Sequence, residues 1–151
     1  MKVKDIMKQD PFCCSASDTV QEAARTMKAK DVGSLPVVAD PQSRRLEGIV
    51  TDRDLCCRAL ADGKDPGATP VEEAMTRNPM TCRPEDDVDT CAKIMQENQV
   101  RRVPVVADDG SCIGVVAQAD LALHSKPQMV GKVVAEISKP RRTNAAIRLA
   151  S

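Results

Sequence analysis

Two similar halves make up most of this sequence, and this internal repeat constrains the fold more than any other feature. The segment LPVVAD (residues 35–40) returns 68 positions later as VPVVAD (residues 103–108), and VKDIM returns as VEEAM at the same spacing. After these segments the spacing falls to 66, because the first copy carries two additional residues. Surface loops accept insertions that packed elements reject, so this site is expected to be a turn. The chain should therefore contain two copies of one structural unit.

Apolar residues at helical spacing predict one amphipathic helix of about three turns in each copy. The pattern i, i+3, i+4, i+7 is formed by Val20, Ala23, Ala24 and Met27, and in the second copy by Val88, Cys91, Ala92 and Met95. Thr19 and Glu22 have the spacing of a capping box, and Asp87 occupies the equivalent N-cap position. Both helices should begin at these polar residues.

Each of these helices is followed by a strand-like apolar segment, LPVVA or VPVVA, then a turn, then a second strand, LEGIVT or CIGVVA. A second helix is expected to begin near Asp52 and Gln118. Short helical segments should precede Pro11 and Pro79, with FCC and MTC as brief strands after them. The predicted unit is β-α-β-β-α, which places the chain in the α/β (α+β) class with helices covering each sheet.

The repeat also predicts the domain boundaries. Residues 1–62 form the first copy, 63–70 a polar linker, 71–125 the second copy and 126–151 a basic C-terminal tail that is partly disordered. One copy of about 60 residues is marginal as an independent domain. The two copies should therefore pack face to face with pseudo-two-fold symmetry, and the last dozen residues should be loosely ordered.

Composition disfavours several classes of function. The 22 basic and 22 acidic residues cancel, and only 1% of residues are aromatic, so a nucleic-acid partner is not expected. No apolar stretch reaches the length of a membrane span and the first residues are too polar for a signal peptide, so we expect a cytoplasmic protein without a membrane partner. The single His124 is expected at a helix end, where a cation is favoured. We expect no enzyme, no catalytic residues, no metal and no required cofactor.

The seven cysteines should be reduced in that compartment and act mainly as small apolar residues. Their spacing contains no C-x-x-C, which disfavours a zinc site. A thiol-based redox device that uses Cys13, Cys14 or Cys82 remains an alternative, although nothing nearby in the sequence indicates an activated thiolate.

The segments PVVAD with GIVTDRDL, and PVVAD with GVVAQADL, resemble the cystathionine-β-synthase (CBS) domain. The resemblance covers both copies, residues 1–125. It implies a paired module, often called a Bateman module, that usually dimerises, binds adenosine-containing ligands in clefts between its repeats and has no catalytic activity. We therefore expect a regulatory, signal-transducing homodimer whose ligand is AMP, ATP, NAD or a similar adenine nucleotide.

Thr51 and Asp54 follow Gly48 in a G-h-h-T-x-x-D motif at the junction of the second strand and second helix. A hydroxyl and free N–H groups at a helix start suit a phosphate, and the resemblance implies that Asp54 accepts hydrogen bonds from ribose hydroxyls. The alternative is an ordinary helix cap. In the second copy Asp120 is retained, but Ala117 replaces the threonine, so this cleft should bind phosphate less well.

The resemblance also implies segments that contact the base of the ligand. These are Met80, Thr81 and Cys82 in the second copy, and Phe12, Cys13 and Cys14 in the first. The first copy has lost the proline of this motif, since Ala16 occupies its position. The alternative is a strand whose side chains only fill the core.

Arg101 and Arg102 have no counterpart in the first copy, which carries Gly33 and Ser34 at these positions. Guanidinium groups suit phosphate, so we expect both arginines to complete the site formed by Thr51 and Asp54. The alternative is a pair of solvated side chains at a turn.

A different function also remains open. The losses at positions 16 and 117 favour a ligand-free dimerisation or protein-interaction module, whose partner the sequence does not identify.

Overall fold

The computed structural model describes residues 1–141, and its helices and strands follow the repeat. The first copy contains α1 (Val3–Ile6), β1 (Lys8–Gln9), α2 (Val20–Lys30), β2 (Ser34–Val38), β3 (Leu46–Thr51) and α3 (Asp52–Asp54), which continues as a π-helix (Leu55–Leu60). The second contains a 3₁₀ turn (Val71–Glu73), β4 (Thr76–Arg77), α4 (Val88–Asn98), β5 (Arg102–Val106), β6 (Cys112–Ala117), α5 (Gln118–His124) and α6 (Pro127–Ser138). The predicted mixed fold of two tandem units is confirmed.

The two amphipathic helices begin at the polar residues that the sequence predicts, with Thr19 and Asp87 as their N-cap residues. The Thr19 hydroxyl accepts a hydrogen bond from the Glu22 amide (3.1 Å), and the Glu22 carboxylate accepts one from the Thr19 amide (3.0 Å). Asp87 is the N-cap residue of α4 by position, but its side chain makes no capping hydrogen bond. Its carboxylate instead pairs with Lys2 Nζ at 2.8 Å, which joins the N-terminus to the second copy.

Two three-stranded antiparallel sheets form, with strand orders β2-β3-β4 and β1-β6-β5. The leading segment of each copy, residues 1–10 and 71–78, therefore pairs with the sheet of the other copy. No pattern in the sequence predicts this crossing. FCC and MTC, predicted as strands, contribute only single bridges, Cys14 to Val37 and Cys82 to Val105.

The crossing segments also complete the hydrophobic cores of the opposite copies. Val3 and Ile6 are buried in the core of the second copy, together with Met95 and Leu121. The core of the first copy contains Val71, Ala74 and Met75 from the second leading segment. Each sheet is therefore closed by the other half of the chain.

Two glycines allow the crossing strands to approach. A Cβ atom on Gly48 would lie 2.6 Å from the Thr76 carbonyl oxygen in β4. A Cβ atom on Gly114 would lie 2.6 Å from Met7 Sδ and 3.1 Å from the Lys8 carbonyl oxygen. The glycine of the G-h-h-T-x-x-D motif therefore makes room for the backbone of β4.

The inserted turn of the first copy contacts the corresponding turn of the second. Arg45 forms a β-bridge with Ser111, and the Arg44 carbonyl accepts a hydrogen bond from the Cys112 amide at 2.8 Å. Arg44 has a left-handed backbone with φ of 51°. The insertion thus holds the two copies together at the end of the sheets opposite to Thr51.

Residues 127–138, predicted as part of a basic tail, form helix α6. This helix packs on α4 and α5 and buries Val133 in the second core. The tail expected from position 126 thus begins with a packed helix. The last dozen residues were predicted to be loosely ordered, and those from residue 142 onward lie outside the described residues. Within residues 1–141, no helix is both long and apolar enough to cross a membrane.

Candidate functional site

The start of α3 places Thr51 and Asp54 in a reciprocal capping box. The Thr51 hydroxyl accepts a hydrogen bond from the Asp54 amide at 3.1 Å, and Asp54 Oδ2 accepts one from the Thr51 amide at 3.0 Å. The Asp54 side chain is 16% exposed, and its other oxygen, Oδ1, lies 3.7 Å from Arg58 Nε. The ordinary helix cap, which was the alternative to a ligand site, is therefore present. The Asp54 Oδ1 atom takes no part in this cap.

The second copy repeats half of this arrangement. Asp120 Oδ2 accepts a hydrogen bond from the Ala117 amide at 2.7 Å, but no hydroxyl faces the Asp120 amide, because residue 117 is alanine. Asp120 is only 6% exposed. The two cleft positions therefore differ in the way the sequence indicates.

Arg102 extends from β5 to the first copy. A Cβ atom on Gly33 would lie 2.6 Å from Arg102 Nη2 and 3.2 Å from Asp52 Oδ2, so the guanidinium occupies the space beside Gly33. Gly33 also accepts the Asp52 amide hydrogen bond at 3.0 Å, and Ser34 pairs with Thr51. Arg102 thus lies beside the start of α3, whereas the side chain of Arg101 is exposed.

The predicted base-contacting segment of the first copy lines a cavity of about 620 Å³. Phe12, Cys13 and Cys14 form one side, and residues 38–41 form another. Phe12 is 49% exposed, and Lys30 Nζ lies 4.8 Å from the centre of its ring. Thr51, Asp54, Arg101 and Arg102 do not line this cavity, so the structure does not gather all predicted site residues around one opening.

The equivalent segment of the second copy is arranged differently. Met80 is half-exposed and Cys82 is buried, and neither they nor Thr81 line this cavity. Arg83 pairs with Asp108 at 2.8 Å across the corresponding position. The base-contacting segments of the two copies are therefore not equivalent.

Arg44, which was not predicted as a site residue, lines the same cavity. Its Nη2 donates to the Pro11 carbonyl at 2.8 Å and contacts Cys13 Sγ at 3.4 Å. Its Nε is buried and has no hydrogen-bond partner among residues 1–141. Arg44 also borders a second cavity of about 450 Å³ that is lined by Arg45, Asp10 and Asp109. The two-residue insertion in the first copy is the only sequence signal that could have indicated this residue.

The thiols show little sign of activation. Burial raises the pKa of Cys14 to about 12 and that of Cys112 to about 11, and burial also raises the pKa of Cys13 despite the nearby Arg44. The Cys91 thiol hydrogen-bonds to Cys82 and lowers the pKa of Cys82, but both are buried. Among residues 1–141, no group of three or more His, Cys, Asp or Glu is placed to hold a metal ion.

We expect two thiols to react fast with a colorimetric disulfide reagent at pH 8, because only Cys56 and Cys57 are exposed. The half-buried Cys13 should react more slowly, and the four buried thiols should react only on denaturation. Cys56→Ser with Cys57→Ser should abolish the fast phase. A fast phase that persists in this variant would show that one of the five remaining thiols is activated and would support the redox alternative.

The sequence profile of the CBS domain matches residues 3–59 and 71–126, which correspond to the two halves of the repeat. This chain belongs to the CBS domain family. The CBS domain-containing protein YhcV of Bacillus subtilis is 36% identical to this CBS pair over 137 residues, which cover 90% of this chain and 94% of YhcV.

Hypoxic response protein 1 of Mycobacterium tuberculosis is 32% identical over 137 residues, covering 91% of this chain and 94% of that protein. Its crystal structure, described with two coordinated zinc ions, aligns with a TM-score of 0.74 at 32% identity over 83% of this chain and all of the other. The CBS domain pair of protein MJ0100, in complex with 5′-methylthioadenosine and S-adenosyl-L-methionine, aligns with a TM-score of 0.73 at 32% identity, covering 82% and 94% of the two chains.

Proposed function

We propose that this CBS pair is a non-enzymatic regulatory module that binds an adenosine-containing ligand between its two repeats. The observation that carries the proposal is the position of Arg102, which brings a cation from the second copy to the start of α3 in the first. The complex of MJ0100 with two adenosyl compounds supports the ligand class. No cofactor is required in this proposal, and the adenosyl compound is a regulatory ligand.

In the proposed arrangement, ribose hydroxyls donate to Asp54 Oδ1, which the capping box leaves available. A phosphate or carboxylate of the ligand pairs with Arg102, and Arg101 adds positive charge nearby. The base lies towards Phe12, Cys13 and Cys14. The cavity begins near Val38, and Thr51 lies opposite Ser34 on β2. The distance from Ser34 to Val38 is about 13 Å at the usual rise of a strand, so the proposed ligand spans about this length along β2.

Such a ligand would act by preferring one relative arrangement of the two copies. It can shift an equilibrium only by the difference in its affinity for the two states. Because the site combines residues of both copies, a change in their angle would alter the distance between Arg102 and Asp54. This gives the module a physical basis for signalling without catalysis.

The ligand should raise the thermal unfolding midpoint of the protein, measured with a dye against AMP, ATP, NAD, S-adenosylmethionine and 5′-methylthioadenosine. A ligand at about 100 times its Kd should add roughly 2.7 kcal/mol of stability. Asp54→Asn and Arg102→Ala should each weaken binding tenfold or more, whereas Arg25→Ala, an exposed change on α2, should not.

Thr51→Ser serves as a folding control, because serine keeps both the hydroxyl and the cap. Gly33→Ala tests the position of Arg102, because the added methyl group would displace the flexible guanidinium and should weaken only ligands with an anionic group. A midpoint that responds to none of the five compounds would end the proposal. A shift that survives both Asp54→Asn and Arg102→Ala would place the ligand elsewhere.

A second candidate function is a ligand-free dimerisation or protein-interaction module. Two large apolar side chains on the second helices of the copies favour it, since Leu60 is 66% exposed and Leu123 is 79% exposed. Sedimentation of the wild type and of Leu60→Ser with Leu123→Ser separates the alternatives. A homodimer that this double substitution converts to a monomer, with no response to any adenosyl compound, would favour the second function.

A further inference from the structure

Arg58, on the π-helix after α3, contacts groups from both copies. Its Nε lies 3.7 Å from Asp54 Oδ1, and its Nη1 lies 3.3 Å from the Met75 carbonyl oxygen and 3.5 Å from that of Ala74. Ala74 and Met75 belong to the leading segment of the second copy, immediately before β4. A short π-helix within a helical segment is often found at functional sites. Arg58 thus connects a proposed ligand-binding carboxylate to a segment that crosses between the copies.

The second copy lacks this connection. At the spacing of 66, His124 is the counterpart of Arg58, and Asp120 is the counterpart of Asp54. His124 Nδ1 lies 2.9 Å from the Asp120 carbonyl oxygen, on its own helix. It makes no hydrogen bond to the first leading segment within residues 1–141. The repeat therefore provides an internal comparison in which the same position carries a side chain without the cross-copy contact.

The two oxygens of Asp54 have different roles. Oδ2 is engaged by the Thr51 amide, so it is fixed by the cap. Oδ1 faces Arg58 and is the oxygen available to a ligand hydroxyl. A ligand hydroxyl that donates to Oδ1 would compete with the Arg58 guanidinium for the same carboxylate oxygen. We therefore expect ligand binding at Asp54 to weaken the contact between Arg58 and the crossing segment.

We infer that Arg58 is a positioning residue that couples the state of Asp54 to the crossing segment at residues 74–77. When Asp54 is free, the guanidinium is held between the carboxylate and the two carbonyl oxygens. When a ligand engages Oδ1, the guanidinium loses one anchor and the crossing segment is held less firmly. The ligand half of this inference depends on the proposed function, but the link between Asp54 and Arg58 does not.

Amide hydrogen exchange of residues 75–78 in the ligand-free protein tests the link directly. Asp54→Asn removes the charge but keeps a carbonyl oxygen for the cap, and it should speed this exchange by about three- to tenfold, as expected for weakening one or two hydrogen bonds. Arg58→His, which installs the side chain of the second copy, should have a similar effect. In the R58H background, Asp54→Asn should add nothing further. His124→Ala should leave the amides of residues 7–10 unchanged.

An equal effect of Asp54→Asn with and without Arg58 would overturn the coupling. Arg58→Lys should keep part of it, because an ammonium group still pairs with Asp54; a purely steric role of the arginine would show no such rescue. With AMP as the probe, the wild type should exchange faster at residues 75–78 while its overall stability rises, and R58H should bind AMP without the local change. Failure of AMP to bind the wild type would count against the proposed function alone, and the ligand-free comparison would still decide the role of Arg58.

Discussion

Replacing Ile6 by alanine should destabilise the second copy, although Ile6 belongs to the first copy in the sequence. Ile6 is 5% exposed and lies in the core that contains Met95 and Leu121. Removing a buried isoleucine side chain to the β-carbon costs about 2–5 kcal/mol, because apolar contacts are lost and a cavity remains. Guanidinium denaturation should detect the loss, and hydrogen exchange should show β5 and β6 losing protection before β2 and β3.

The reciprocal substitution gives a matched control. Met75→Ala should cost about as much but should expose β2 and β3 first, since Met75 lies in the core of the first copy. Lys4→Ala changes only an exposed surface ion pair with Glu85 and should leave the unfolding midpoint nearly unchanged. If Ile6→Ala instead removed protection from β2 and β3 first, the crossing of the leading segments would be wrong.

Because each leading segment packs into the core of the other copy, the linker does not separate two independent hydrophobic cores. The predicted linker, residues 63–70, lies between the two copies in the sequence, but Val71 and Met75 are buried in the first core and Val3 in the second. Each core is therefore incomplete without the other half of the chain. A ligand that shifts one copy relative to the other must also move these crossing segments. Their movement would therefore transmit ligand binding from one core to the other.

Local patterns predicted α2, α4 and the paired strands of the two copies correctly, but the prediction of a tail from residue 126 was wrong for helix α6. The helices α2 and α4 follow from apolar spacing, and α2 also from the capping box of Thr19 and Glu22. The paired strands on either side of the insertion follow from apolar segments separated by turn residues. These signals are reliable because the same residues that define the pattern also form the buried face of the element.

The crossing could not be read from sequence in the same way. Strands β1 and β4 contain two exposed residues each, so they carry no alternating pattern. Their position is decided by tertiary contacts, namely the burial of Val3 and Val71 and the absence of side chains at Gly48 and Gly114. Strands were instead predicted at FCC and MTC, which are apolar but form only single bridges to the neighbouring strands.

The residues of the candidate site also divide into those predicted by local spacing and those positioned by long-range contacts. The relation between Thr51 and Asp54 is local and follows from a spacing of three residues at a helix start. The reach of Arg102 depends on the absence of a side chain at Gly33, and the role of Arg44 depends on a loop conformation with positive φ. Neither feature has a periodic signal, because each is set by residues distant in the chain.

Gly48→Ala should be clearly more destabilising than Gly114→Ala, although the two glycines are counterparts in the repeat. At Gly48 the added methyl group would meet the Thr76 carbonyl oxygen at 2.6 Å, and that backbone can move only if β4 moves. Overpacking of this kind costs about 1–3 kcal/mol. At Gly114 the nearest atom is Met7 Sδ, at the same distance, and a flexible methionine can turn away. The gain of about 0.5–1 kcal/mol from replacing a strand glycine should then offset most of the cost there.

Urea denaturation of the two variants measures this difference, and exchange at residues 76–78 shows whether β4 has moved. Gly48→Ala should lower the midpoint and speed exchange in β4, while Gly114→Ala should leave both nearly unchanged. Adding Met7→Ala to Gly114→Ala should remove the clash with Met7 and leave only the milder contact with the Lys8 carbonyl oxygen at 3.1 Å. No single side-chain truncation should rescue Gly48→Ala, since its obstacle at 2.6 Å is a carbonyl group. Equal losses in the two variants would mean that Thr76 does not approach Gly48, and β4 would then have to pair elsewhere.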